Sequence, residues 1–334
     1  MLVLIICIVI IALVFDFLNG FHDAANSIAT IVSTRVLTPR RAVLWAAFFN
    51  FLAAFLFTHH NVARTIGKEL IAPSLVNEYV ILAALVGAIA WNIITWYFGI
   101  PSSSSHALMG GLGGAAIMKA GFESILWGGW IKTLIFIVVA PLLGMVLGFG
   151  MMMLIMWLFH AHPSSKINAI FRRLQLVSAA FYSLGHGTND AQKTMGLITI
   201  LLINANLIQT SGPDDFPIKW WIIILCYTAI SIGTMFGGWR IVKTMGQKVT
   251  KLKPSGGFCA ETAGAFTLLI TAFSGIAVST THTITGAIMG VGATKRVSAV
   301  KWGLAGKIII AWIITIPITA IISAGCYWVI EYFL

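Results

Sequence analysis

Runs such as LVLIICIVIIALVF (residues 2–15) constrain this chain more than any other feature. An apolar stretch of about 18 or more residues matches a hydrocarbon core roughly 30 Å thick. Met1–Leu18, Ala42–Thr58, Tyr79–Phe98, Ile131–Leu158, Trp220–Phe236 and Leu304–Leu334 reach or approach that length. With 59% of its 334 residues hydrophobic and 9% charged, the chain lacks the polar surface a soluble domain would need. It is expected to be an all-α polytopic membrane protein. Met1–Leu18 has no basic leader and runs into NGFHDAANSIAT without a small-residue cleavage site, so it is expected to stay as a span.

The net charge of +11 is concentrated in four clusters: Arg35–Arg41, Lys166–Arg173, Arg240–Lys253 and Lys295–Lys301. The positive-inside rule assigns all four to the cytoplasm and the N-terminus to the outside. Charges confined to loops between spans argue against a nucleic-acid partner. Cys7, Cys226, Cys259 and Cys326 are scattered through apolar segments, which excludes a CxxC motif and a disulfide framework.

Two patterns each occur twice, in the same order. NGFHDAANSIAT (19–30) aligns with GHGTNDAQKTMG (185–196), pairing Asp23 with Asp190. SSSHALMGG (103–111) aligns with STTHTITGA (279–287). The first Asp motif is followed by a basic loop and the second is preceded by one. This reversal predicts an inverted-topology repeat with broken or re-entrant helices, roughly 10–12 membrane segments in all. The expected division is a first repeat over 1–160, a cytoplasmic connecting loop over 161–173 and a second repeat over 174–334, forming one transport domain.

Each hydroxyl cluster opens a Gly-rich apolar segment, and Pro101 disfavours helix just before the first. Ser and Thr cap helix N-termini, whose free N–H groups and partial positive charge attract anions. Ser103, Ser104 and Ser105, with Ser279, Thr280 and Thr281, are thus candidates to hold a tetrahedral oxyanion without a basic side chain. Gly110, Gly111, Gly113 and Gly114 would let neighbouring helices approach closely. Asp23 and Asp190 are acids in apolar surroundings, where a charge costs at least about 2.5–3.5 kcal/mol. With Asn26 one turn after Asp23, their hard oxygens suit Na⁺ or Mg²⁺, and either carboxylate could instead take a proton. An anion site beside paired carboxylates points to coupled symport.

GFHDAANSIATIVSTR, WNIITWYFGIPSSSSHALMGG, GHGTNDAQKTMG, IGTMFGGWRIVKTMGQK and VSTTHTITGAIMG resemble the signature segments of the inorganic phosphate transporter (PiT) family, in its bacterial low-affinity Pit-like branch. The resemblance implies import of hydrogen phosphate, or of a neutral divalent metal-phosphate, with no other cofactor. It adds Asn26 and Asn189 to the phosphate ligands and implies a homodimer embedded in lipid in the cytoplasmic (inner) membrane. Sodium-coupled members read GANDxxN in both halves; here His22 replaces the first Asn and Lys193 stands opposite Asn26. An ammonium beside Asp190 would supply a built-in cation and favour proton over sodium coupling, with His22 as a second modifier. Ala277 stands where the family commonly has Pro, leaving the second helix break to Gly275. Glu261 is a lone membrane acid and a weaker coupling candidate. His106 and His282 close the hydroxyl clusters and could contact substrate or pack.

Rival readings are a sodium-coupled phosphate symporter, a sulfate carrier of the same fold, a channel or structural membrane subunit, and an intramembrane hydrolase using a serine with His106 or His282 and an Asp. Sulfate lacks the proton that a carboxylate would accept from hydrogen phosphate.

Overall fold

A computed structural model describes residues 2–212 and 215–333, which are helical throughout apart from short connections. The apolar runs become α1 (Leu2–Ser33), α2 (Pro39–Leu56), α4 (Glu78–Phe98), α6 (Trp127–Leu158), α8 (Trp220–Phe236) and α12 (Trp302–Phe333), with the short α3 (Asn61–Arg64) after α2. The polar motif segments are helical too: α5 (Ser104–Ala120), α7 (Ser164–Asn204), α10 (Pro254–Phe273) and α11 (Thr280–Ala293), with the short α9 (Trp239–Lys243) after α8. Among the described residues five helices are long and apolar enough to cross a membrane, and seven if the bent pairs α2–α3 and α8–α9 each count as one. Those pairs bend by 85° and 61° and continue as single π-helical turns, Thr65–Glu69 and Thr244–Lys248. The expected connecting loop over 161–173 is helical from Ser164 onward, because nothing after Pro163 interrupts the helix that carries the second Asp motif.

The elements of the first half recur in the second in the same order, α1–α6 answering to α7–α12. α4 ends at Gly99 and α10 just before Gly275, both with left-handed φ (66° and 65°), and each chain then re-enters as a short helix. Gly275 thus makes the break that Ala277, in place of proline, left unencoded. The halves interlock by exchange: α5 packs on α12 and α11 on α6, while α1 packs on α8 and α7 on α2. Both re-entrant helices present a G-x-x-x-G ridge at the crossing, Gly110–Gly114 and Gly286–Gly290. A Cβ on Gly114 would collide with the Ala320 carbonyl, and one on Gly290 with that of Met145.

All four basic clusters lie at one end of the bundle. Arg172 donates to the Arg35 carbonyl at 2.7 Å, Lys295 to that of Lys251 at 3.0 Å, and the Lys301 amide to Val249 at 3.1 Å. The hairpin α10–α11 opens at this end. The hairpin α4–α5 opens at the other, where Lys119 donates to the Leu75 carbonyl at 2.8 Å.

Overpacking at these crossings is not relieved by a rotamer change, since the obstructing atoms are backbone. Gly114→Ala and Gly290→Ala should each lower stability by on the order of 3 kcal/mol, read as a fall in the thermal midpoint of detergent-purified protein. Gly325→Ala, where a Cβ meets nothing within 4 Å, should leave it unchanged.

Candidate functional site

The two hydroxyl triplets divide their labour by position. Ser103 and Ser279 are the N-caps of α5 and α11, each accepting from a backbone amide three residues on, His106 and His282, at 3.2 Å. The second hydroxyl of each triplet lies 3.1 Å from the aspartate of its own half: Ser104 Oγ beside Asp23 Oδ2, and Thr280 donating to Asp190 Oδ2. The third reaches across. Thr281 accepts from Asn26 at 2.9 Å, and Ser105 accepts from Lys193 Nζ. Asn26 and Lys193 occupy matching places, one turn after Asp23 and Asp190, so each motif helix touches the hydroxyl cluster of the opposite half. All of these residues are at most 3% exposed.

Lys193 does not reach for the interface. Its ammonium is bonded to Asp190 Oδ1, to Ser105 and, at 3.2 Å, to the Val278 carbonyl. Asp190 Oδ2 lies 3.1 Å from His186 Nε2. Asp23 Oδ1 sits 2.7 Å from His22 Nδ1, and His22 Nε2 lies 3.1 Å from the Thr95 hydroxyl, which in turn donates to the Trp91 carbonyl. Neither carboxylate is a cap: both lie in the middle of long helices, α1 and α7. One ligand atom each from Asp23, His186 and Asp190 falls within 4.8 Å of the others, close enough to share one cation. Two hydroxyl-lined helix starts, two carboxylates and one buried ammonium can hold an oxyanion and one or more cations together.

Four expected residues stand apart from this cluster. The Asn189 amide donates to the Gly185 and Leu268 carbonyls at 3.1 and 2.8 Å, tying α7 to α10. Glu261 accepts from Thr30, Gln175 and Ser178, a separate buried network joining α1, α7 and α10. His106 and His282 meet each other edge to face at 4.7 Å, and His282 stacks on Trp312 at 3.8 Å. Four further residues belong here without having been singled out in the sequence. His186 and Asn19 each lie four residues before a motif aspartate; Asn19 accepts from Ser104 at 2.6 Å. The i−4 spacing would have flagged both once the helices were known to run through the motifs. Thr95 needed tertiary information. Asp16, fully buried beside Asn19 and Thr194 without a well-formed hydrogen bond, could have been read as a lone acid in an apolar run.

The profile of the phosphate transporter family matches residues 19–323. The chain belongs to that family. It is 58% identical to a protein of Rhizobium meliloti described as a probable low-affinity inorganic phosphate transporter, over 97% of this chain and 96% of the relative. A Bacillus subtilis protein of the same description is 48% identical, over 99% and 98%. A solved structure, the sodium-dependent phosphate transporter, superposes with a TM-score of 0.90 at 27% identity, covering 99% of this chain and 100% of that one. Family and fold are those of transporters and not of enzymes, which removes the hydrolase reading; the histidines that reading needed pair with each other.

Removing a cap exposes the division of labour within the triplets. Ser103→Ala and Ser279→Ala should each cost about 1 kcal/mol of stability, and Ser→Thr at the same positions should restore most of it, measured by thermal denaturation in detergent.

Proposed function

We propose that the protein is a cation-coupled symporter that imports inorganic phosphate, and that its coupling ion is the proton. The observation that carries this reading is Lys193, bonded at once to Asp190 and Ser105 in the place held by Asn26 in the first half. A buried carboxylate without a counter-charge is costly; breaking such a pair typically costs 3–5 kcal/mol. The Lys193 ammonium meets that need at Asp190 from within the chain, so no sodium is required there. Asp23 has no ammonium beside it and shares a short contact with His22, which leaves its side of the site open to the coupling ion. Phosphate then sits between the starts of α5 and α11, with the second and third hydroxyls of each triplet as donors. Asp23 or Asp190 accepts the proton of hydrogen phosphate, which sulfate cannot offer.

The two hairpins opening at opposite ends of the bundle support an inverted-topology repeat. The basic end is the cytoplasmic one by the positive-inside rule. Exchange of packing between the halves gives a rocking motion that exposes the central cluster to either side. An inner-membrane homodimer is part of the proposal on the family resemblance alone. Sodium coupling is the second reading, favoured by the Asp23–His186–Asp190 cluster and by the sodium dependence named for the superposable structure. The same cluster would take the divalent ion of a metal-phosphate.

Radiolabelled phosphate uptake into proteoliposomes, with proton and sodium gradients imposed separately, tests the choice. Uphill uptake should follow the proton gradient alone and collapse with it, which also excludes a channel. Lys193→Asn should raise sodium stimulation by about tenfold or more, because Asp190 then lacks its counter-charge. Sodium-driven uptake by the wild type, or a sodium-independent Lys193→Asn, contradicts proton coupling through Lys193.

A further inference from the structure

The repeat supplies an internal comparison that isolates one charged feature. At the outer hairpin, Asn77 caps α4 by accepting from the Val80 amide at 3.0 Å, and Glu78 and Glu331 act on Lys119. At the equivalent places of the inner hairpin, Asn77 becomes Lys253, Glu78 becomes Pro254, Lys119 becomes Lys295 and Glu331 becomes Ile155. The same geometry that is compensated by acids on one face therefore carries two lysines and no carboxylate on the other. Both lysines line a cavity of about 350 Å³ between the end of α6, the start of α7 and the start of α10, whose lining contains no Asp or Glu. Burial, and then the neighbouring Lys253, hold Lys295 below its ordinary value. The starts of α7 and α10 also face this space through Ser164 and Ser255, and neither helix has a side-chain cap.

The opposite wall is apolar along the α6 end, at Met152, Met156 and Phe159, with His160 and His162 at its edge. It continues onto a face of α6 where Met153, Leu154 and Trp157 are exposed, the surface this helix turns to acyl chains. A free anion would gain nothing from that wall. A diacyl lipid with an anionic headgroup would use all of it, placing phosphate between the lysines and chains along α6.

From this juxtaposition we infer that the cavity between α6, α7 and α10 is a binding site for an anionic phospholipid of the cytoplasmic leaflet, its phosphate held by Lys253 and Lys295. The site lies apart from the central cluster and does not depend on which ion drives transport.

Lipid binding to detergent-purified protein, followed by native mass spectrometry and by thermal midpoint, tests the inference. Phosphatidylglycerol should bind and raise the midpoint, and phosphatidylcholine should do neither. K253Q/K295Q should weaken phosphatidylglycerol binding about tenfold or more, at about 1 kcal/mol per lysine, while K243Q/K248Q, the same charge change at the same end outside the cavity, should not. The midpoint without lipid reports whether each variant is folded; if the double variant is not, the single variants K253Q and K295Q are read instead, each expected to lose about fivefold. Equal binding of the two lipids, equal affinity in the folded lysine variants and wild type, or an equal shift from soluble glycerol phosphate would overturn the lipid assignment, the last identifying a soluble-anion site.

Discussion

Everything in the centre of this protein depends on two backbone breaks inside the bundle. At Gly99 and Gly275 the chain turns through left-handed φ, stops one helix and starts another a few residues later. A helix start leaves backbone N–H groups unpaired, and in an apolar medium these must find partners. Ser103 and Ser279 satisfy part of that demand as caps. The remaining hydroxyls are brought against two aspartates that long, unbroken helices hold in place. The close crossings at Gly110–Gly114 and Gly286–Gly290 fix those helix starts against α12 and α6. A small change in the crossing would therefore move the hydroxyls away from the carboxylates.

The second organising fact is a broken symmetry. The N-cap hydroxyls Ser103 and Ser279 make equivalent contacts, but the residues one turn after the aspartates differ in charge: Asn26 is an amide where Lys193 is an ammonium. Asn26 donates to Thr280 and Thr281, whereas Lys193 both donates to Ser105 and neutralises Asp190. The two halves thus offer similar shapes and different charges. That is the physical basis for assigning a fixed counter-ion to Asp190 and an exchangeable one to Asp23. The same logic, applied at the bundle ends, separates the acid-compensated Lys119 from the uncompensated Lys253 and Lys295.

Much of this was legible in the sequence. Duplication made the hydroxyl clusters and both aspartates stand out, and the apolar runs fixed the helical membrane class. Lys193 was visible as a charge where its counterpart is an amide. What could not be read depends on helices continuing or on contacts far apart in sequence. His186 and Asn19 join the cluster only because α7 and α1 run straight through motifs that resemble caps. Asn189, adjacent to Asp190, points about 100° away around the helix and serves the α7–α10 contact instead. The segment 161–173 reads as a loop because of its charges and Pro163, yet Ser164–Arg173 is the first part of α7, with Ile167, Ile170 and the buried Phe171 at helical spacing. The exchange of packing between halves involves residues well over a hundred positions apart, which no local pattern encodes.

The central claim is that the second hydroxyl of each triplet holds phosphate beside an aspartate. Equilibrium binding of radiolabelled phosphate to purified protein tests it most directly, comparing wild type with S104A/T280V. On this account the double variant keeps its thermal midpoint within a few degrees and binds phosphate about tenfold more weakly or worse, since each lost charge-linked hydrogen bond is worth about 1.5–3 kcal/mol. Unchanged phosphate affinity in a folded double variant would contradict the assignment and move the anion away from the two helix starts.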